Sequence, residues 1–371
     1  MKTLYHNCKI VSKGQVYDGG ALVSDGVIER VLRGQCGGIA ADEKIDLNGA
    51  YLAPGFIDTH IHGCGGFGTD NKSADDILAM SELLIKQGVV AFAPTIYPAE
   101  LAQMLETLKK LAPAVGRERG AKILGFHMEG PFISPAKPGV MKPESIQPVN
   151  LDSAQKIYEA SGGHIVAMTA APELENIDKL AAFAAANNFI LQAGHTNATY
   201  EETLRAADFG VKHATHLFNA MSALNHRSLG APGAILSDGR FSAEIIADGV
   251  HLAPAIVKII LMLKGPDKAV LITDSLTPTG RGEGRANGEE VKLEGGVFRR
   301  KADGVIAGSA LTMLEGVRNL VKWGCPLAIA SMAAGDNPAA LYGLDFGILE
   351  EGKAARLVAL DQNLNLQKVI F

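Results

Sequence analysis

Six side chains of the types that hold metal ions or move protons stand at the ends of short apolar runs in this 371-residue chain. His60 and His62 lie in FIDTHIHG, Glu129 in GFHMEGP, His195 in LQAGHTNA, His216 in HATHLFNA and Asp274 in LITDS. The two-residue period of a strand points the imidazoles of an HxH pair to the same side, which makes half of a metal site. Gly130 and Pro131 stop the strand behind Glu129 and leave its carboxylate at the tip. Asp274 is delivered by a strand with the apolar body AVLI and needs a partner, because a buried lone carboxylate is expensive. His213 and His216 are three apart, so on a strand at most one faces inward; His216, nearer the C-terminal end, is taken as the inward one. His213 and His127 are read as structural or supporting residues. Asp58 shares the parity of His60 and either interacts with the pair or serves the strand–loop bend. Each of these residues alone is more often an ordinary core or surface group; the set of six argues for divalent-metal chemistry.

Something must bring six strand ends together. Eight apolar runs alternate with helix-like stretches: Tyr51–His62, Val89–Thr95, Ile123–Gly130, Ile165–Glu173, Ile190–His195, His213–Leu217, Phe241–Asp248 and Ala269–Ser275. Between them, Ser73 can cap a helix whose apolar positions Ile77, Met80, Leu84 and Ile85 have helical spacing, with Gly88 as its stop. Eight βα units predict an α/β fold of the (β/α)8 TIM-barrel type, whose active sites form at the C-terminal strand ends. An open doubly wound sheet is the alternative, and it collects fewer strand ends at one place. The flanking sequence differs in style. Leu4–Val11, Ala21–Asp25, Val27–Arg33, Lys44–Leu47, Arg356–Asp361 and Gln367–Phe371 are short strand candidates punctuated by glycine. Residues 1–52 and 345–371 are therefore expected to form one small β-sandwich domain, around a barrel of residues 53–344.

Composition removes several function classes. A net charge of −5 with no basic run gives no footprint for nucleic acid or anionic membrane. The four cysteines, Cys8, Cys36, Cys64 and Cys325, are scattered, so neither a disulfide framework nor a zinc ribbon is expected. The first residues lack an apolar core for export, and the apolar run Ala255–Leu263 is too short to cross a bilayer. A cytoplasmic enzyme acting on a small molecule is the resulting expectation.

The motifs HIHG, HMEGPF, AGHTNAT, ATHLFNAM, IADGVH, TDS and GSALTMLEGVRNLV, with LAPGFID before them and GKAARLVALD near the end, resemble the N-acetylglucosamine-6-phosphate deacetylase family of the amidohydrolase superfamily. The resemblance runs over nearly the whole chain. It implies that Glu129, His195 and His216 hold one divalent metal and His60 and His62 a second, with zinc the first expectation and iron, manganese or cobalt also suited. It makes Asp274 the catalytic acid–base group. It places the sugar phosphate near Asn219, Ala220 and His251, with the sugar close to Leu311. It also implies a homodimer in which Arg227, beside His226, reaches the neighbouring active site. Where many members carry a carbonyl-polarising histidine this chain has Met141, whose thioether cannot donate a hydrogen bond. The implied reaction is deacetylation of N-acetyl-D-glucosamine 6-phosphate. The galacto epimer, a cyclic amide substrate and an inactive barrel kept for binding are the alternatives; the cyclic amidases typically use a lysine on the fourth strand, and Ile165–Glu173 contains none.

Overall fold

The computed structural model describes all 371 residues. Its centre is a ring of parallel strands, one from each apolar run: Phe56–Ile61, Val89–Ile96, Phe126–Met128, Ile165–Ala170, Ile190–Ala193, His213–Ala214, Ser242–Ile246 and Ala269–Ile272. Each pairs with the next in chain order. The first and eighth close the ring through backbone bonds from Asp274 N to His60 O (2.9 Å) and from His62 N to Ser275 O (2.9 Å). Asp58 supports this closure, accepting from Thr273 Oγ1 at 2.6 Å and Thr273 N at 3.2 Å. The third strand is interrupted: Lys122–Ile123 also pairs with Val89–Ile96, and the chain breaks stride at Gly125, whose φ of 136° suits glycine.

Helices cover the ring through apolar stripes. In Ala74–Ile85, Ile77, Met80 and Leu84 are buried against the barrel. Met313–Lys322 starts with a capping box between Thr312 and Glu315 and buries Met313, Val317 and Leu320. These residues belong to one apolar cluster of 62 residues that runs around the barrel.

Both chain ends build a second, seven-stranded sheet: Lys2–Ser12, Gln15–Ser24, Val27–Arg33, Glu43–Asp46, Tyr51–Pro54, Leu357–Leu360 and Leu366–Ile370. The long first strand pairs Glu43–Asp46 with its first half and Tyr51–Pro54 with its second. It changes partner across an irregularity between Tyr5 and Cys8, where Asn7 takes a φ of 52°. This bend lets the sheet enclose its own core, which includes Tyr5, Ile10, Val23, Leu52, Leu357 and Ile370. The run Tyr51–His62 thus supplies two strands, one to each sheet, divided at Gly55.

A third sheet was not foreseen. Glu283–Ala286, Glu289–Glu294, Val297–Arg300 and Ile306–Ser309 form an antiparallel meander after the eighth barrel strand. Its first two turns are the dipeptides Asn287-Gly288 and Gly295-Gly296, all four residues at positive φ, as a tight two-residue hairpin requires. The meander lies over the barrel mouth through Leu276, Ala286, Val291, Phe298 and Ala307, which pack with Tyr97 and Met141.

Candidate active site

The C-terminal strand ends carry the six residues into one place. His60 and His62 close the first strand, Glu129 follows the third, His195 the fifth, His216 the sixth and Asp274 the eighth. All six are buried, Asp274 the most accessible at 8%. The four imidazoles aim Nε2 at Glu129. The distances are 3.1 Å from His195, 3.0 Å from His216 and 3.5 Å from His60 to Oε1, and 3.2 Å from His62 to Oε2. Asp274 Oδ1 stands 3.6 Å from His60 Nε2 and 3.4 Å from His62 Nε2. Three of the six, His195 (φ 46°), His216 (φ 26°) and Asp274 (φ 50°), hold the left-handed backbone region. Such conformations cost energy in non-glycine residues and persist where the surroundings impose them, often at functional sites.

The electrostatics ask for a cation. Burial pulls His60 down, yet the charges of Glu129 and Glu244 outweigh it and hold its pKa well above the ordinary value. His62 is raised in the same way, burial being outweighed by Asp274 and Glu129. Burial would lift Glu129, but His60, His195 and His216 drive it well below the carboxylate range. The anionic cluster therefore draws positive charge to itself. His60 Nε2 is also buried without a hydrogen-bond partner, which suits it to be a ligand atom. Two triads have donor atoms within 4.8 Å of one another: His60, His62 and Asp274, and His60, Glu129 and His216. Nitrogen and carboxylate donors in these sets suit divalent transition metals.

Other groups fix the rings from behind. His62 Nδ1 lies 3.1 Å from Thr95 O, and His195 Nδ1 lies 3.1 Å from Lys137 O. His60 Nδ1 lies 3.0 Å from Glu244 Oε2, a fully buried carboxylate on the seventh strand. Beneath the site a polar layer runs from His127 Nε2 to Thr169 Oγ1 (2.8 Å), on to Thr215 Oγ1 (2.8 Å) and Gln192 Oε1 (2.9 Å). Burial and the nearby His60 charge push His127 down to about 3, so it serves as a neutral bonded residue. The expectation that only one of His213 and His216 faces inward is corrected. The strand ends at Ala214 and the chain turns, so parity no longer separates the two; His213 is also enclosed, its Nε2 3.7 Å from Glu244 Oε1.

Above these groups opens a cavity of about 290 Å³, walled by Glu129, His62, His195, His216 and Asp274 at its base and by Asn219, Ala220, His251, Met141 and Val305–Gly308 higher up.

This geometry agrees with what the chain resembles. Residues 51–371 match the family model described as "Amidohydrolase family". The chain belongs to the amidohydrolase family. An N-acetylgalactosamine-6-phosphate deacetylase of Escherichia coli O157:H7 is 35% identical, over 90% of this chain and 91% of that protein. An N-acetylglucosamine-6-phosphate deacetylase of Bacillus subtilis is 34% identical, over 84% of this chain and 81% of that protein. Among solved structures, a mutant N-acetyl-D-glucosamine-6-phosphate deacetylase of Mycobacterium smegmatis, in complex with N-acetyl-D-glucosamine-6-phosphate, superposes with a TM-score of 0.92. It is 30% identical, and the match covers 100% of this chain and 97% of that one.

Within this amidohydrolase the other expected site residues are placed unevenly. His251 lines the cavity, oriented by Asp248, whose Oδ2 lies 2.6 Å from His251 Nδ1. Asn219 and Ala220 line it too, but the Asn219 N–H is bonded to His216 O at 3.0 Å, so of these two backbone N–H groups only that of Ala220 has no backbone acceptor. His226 and Arg227 lie on the exposed loop Ala223–Leu229 and do not line the cavity. Leu311 packs with Ile246, Val270 and Ile272 outside it. Met141 does line the cavity, 4% exposed, with Asn287 Nδ2 4.0 Å from its sulfur. Sequence reasoning missed Glu244 and Tyr97, whose ring stacks on His62.

Proposed function

We propose that this amidohydrolase removes acetate from N-acetyl-D-glucosamine 6-phosphate, giving glucosamine 6-phosphate in amino sugar breakdown. The observation that carries the reading is the convergence of His62, Glu129, His195, His216 and Asp274 on one small cavity, with the buried His60 Nε2 3.5 Å from Glu129, in a chain about a third identical to deacetylases of this kind. Glu129, His195 and His216 would hold one divalent ion and His60 with His62 a second beside it, zinc being the first expectation. Such an ion supplies Lewis acidity and brings the pKa of a coordinated water toward neutrality. Asp274 then takes the proton of the attacking water and passes it to the departing amine. His251, steadied by Asp248, reaches the upper cavity, where a sugar phosphate would lie beside Ala220 and Asn219.

We further propose a homodimer in which Arg227 of each subunit reaches the phosphate in the other; Leu224 and Leu229, exposed on the same loop, would give such an interface two apolar contacts. Residues 1–52 with 345–371 act as the supporting β domain, whose sheet runs on through Ala53 and Pro54, and the chain from Gly55 to residue 344 acts as the catalytic barrel. Four free cysteines, three of them buried, fit a reducing cytoplasm, and no helix is long and apolar enough to cross a membrane.

The galacto epimer is the second reading, favoured by the 35% identity to the Escherichia coli protein. Acetate release measured on N-acetylglucosamine, N-acetylgalactosamine and their 6-phosphates decides between them. Turnover of the gluco 6-phosphate well above the other three is expected; preference for the galacto 6-phosphate selects the second reading, and no acetate from any of the four overturns both.

A further inference from the structure

Glu244 is the only residue of the seventh barrel strand, Ser242–Ile246, that carries a formal charge, and it is completely buried. An aliphatic side chain is the usual filler of a barrel interior. A carboxylate in that position needs compensating donors, and here they are specific. One oxygen, Oε2, lies 3.0 Å from His60 Nδ1 and accepts the backbone N–H of His216 at 3.0 Å. The other, Oε1, faces His213 Nε2 at 3.7 Å, longer than a hydrogen bond. A single carboxylate oxygen thus joins the first strand, which carries the HxH pair, to the turn after the sixth, which carries His216.

We infer that Glu244 is a positioning residue of the metal centre: it fixes the proton of His60 on Nδ1, leaves the Nε2 lone pair for an ion, and holds His60 in register with His216. The inference rests on the reading that these residues bind metal, and goes beyond it by assigning the group that couples the two halves. The reason is directional. A carboxylate can only accept, so when an ion takes the place of the Nε2 proton the remaining hydrogen of His60 must stay on the nitrogen facing Glu244. Nε2 then points with a free lone pair at Glu129 and Asp274, the carboxylates that would share the ion. The bond from His216 N to the same oxygen fixes the turn at the strained position of His216, so movement at one half is felt at the other.

The test uses the full chain, stripped of metal and reloaded with Co(II) or Zn(II). Long-range nitrogen–proton NMR on histidine-labelled, metal-loaded protein should show the His60 proton on Nδ1. Glu244→Leu should weaken the ion held by His60 and His62 about 10–100-fold, in equilibrium dialysis and in the Co(II) absorption spectrum. Glu244→Gln, which still offers an acceptor, should recover part of that loss. A proton on Nε2 of His60 overturns the inference, as do two ions bound with unchanged affinity in Glu244→Leu. Where Glu244→Leu does not fold, Glu244→Gln and the wild-type NMR decide: unchanged affinity in the former or an Nε2 proton in the latter overturns it. None of these measurements uses a sugar. A chain that releases no acetate yet shows the Nδ1 proton and Glu244-dependent metal binding would overturn the proposed substrate and support the role of Glu244.

Discussion

The ring of Tyr97 lies parallel to the imidazole of His62, with centroids 3.8 Å apart and planes 5° from parallel. Its hydroxyl is buried without a hydrogen-bond partner, and burial with the surrounding carboxylates keeps it a neutral phenol. Ring and hydroxyl therefore have separable roles. Tyr97→Phe keeps the stack and removes an unsatisfied polar atom, so stability in urea should be unchanged or rise by up to about 1 kcal/mol, with metal content unaltered. Tyr97→Ala removes the wall that limits rotation of His62 and opens a void, so it should cost about 3–5 kcal/mol and loosen metal held by the HxH pair. Equal behaviour of the two variants would show that the stacked ring does not hold His62.

Metal removal tests the cluster as a whole. Four imidazoles whose Nε2 atoms lie 3.0–3.6 Å from the carboxylates of Glu129 and Asp274 should retain one to two transition-metal ions per chain when the protein is purified without chelator. Elemental analysis should find them. Chelation should abolish activity, and Zn(II), Mn(II) or Co(II) should restore it. Under about half an ion per chain, together with activity indifferent to chelator, would refute metal-assisted hydrolysis.

Asp274 is the most exposed of the six and faces the cavity, as the proposed proton transfer requires. Asp274→Asn keeps its shape and removes its basicity. The ion at Glu129, His195 and His216 should remain while turnover falls roughly 10²–10⁴-fold. Pre-steady-state acetate release with the metal content measured in the same sample checks this; a fully active variant would remove Asp274 from the proton transfer.

Much of this site was legible because a barrel obeys a simple rule: apolar strand bodies end in the groups that line the mouth. His60, His62, Glu129, His195, His216 and Asp274 stood out for that reason, and the eight runs that carry them or space them all became barrel strands. Glu244 was not legible, since one acid among SAEII reads like the outward residue of an alternating strand. The meander after the barrel was hidden by its own polarity: EGRA and EEVKLE are largely exposed and carry no apolar run. Its hairpin dipeptides, Asn287-Gly288 and Gly295-Gly296, were nevertheless present as signals. Strand parity does not separate His213 from His216 because the strand expected over His213–Leu217 ends at Ala214 and the chain turns before His216.

Arg227 offers a test of assembly. It is exposed on the single chain and away from the cavity, so a role in phosphate binding requires a second subunit. Arg227→Ala should weaken the phosphorylated substrate by roughly 1.5–3 kcal/mol, the worth of a charge-assisted hydrogen bond, and leave an unphosphorylated sugar unaffected. Mixed dimers of Arg227→Ala and Asp274→Asn protomers should regain activity, because one of their two sites has both groups intact. Hybrids that form without regaining activity would place Arg227 outside the partner's site.

Met141 sets the sharpest test of how the acetyl carbonyl is activated. It sits on the cavity wall, packed with Val140, Tyr97 and Leu276, and its sulfur has no proton to give a developing oxyanion. The negative charge formed as the carbonyl is attacked still requires a positive partner. The HxH pair is intact and its Nε2 atoms lie within 3.6 Å of Asp274 and Glu129, so a second ion there could serve. Replacing both His60 and His62 by residues that bind no metal should then lower turnover on the order of 10² or more, as losing an oxyanion donor does. Adding Met141→His to that double variant should recover part of the loss by returning a donor to the same wall. The measurement is turnover with metal confirmed at Glu129, His195 and His216. Full activity of the double variant in that state would rule out the second ion, and His251, already fixed by Asp248 and facing the same cavity, would be the next residue to replace.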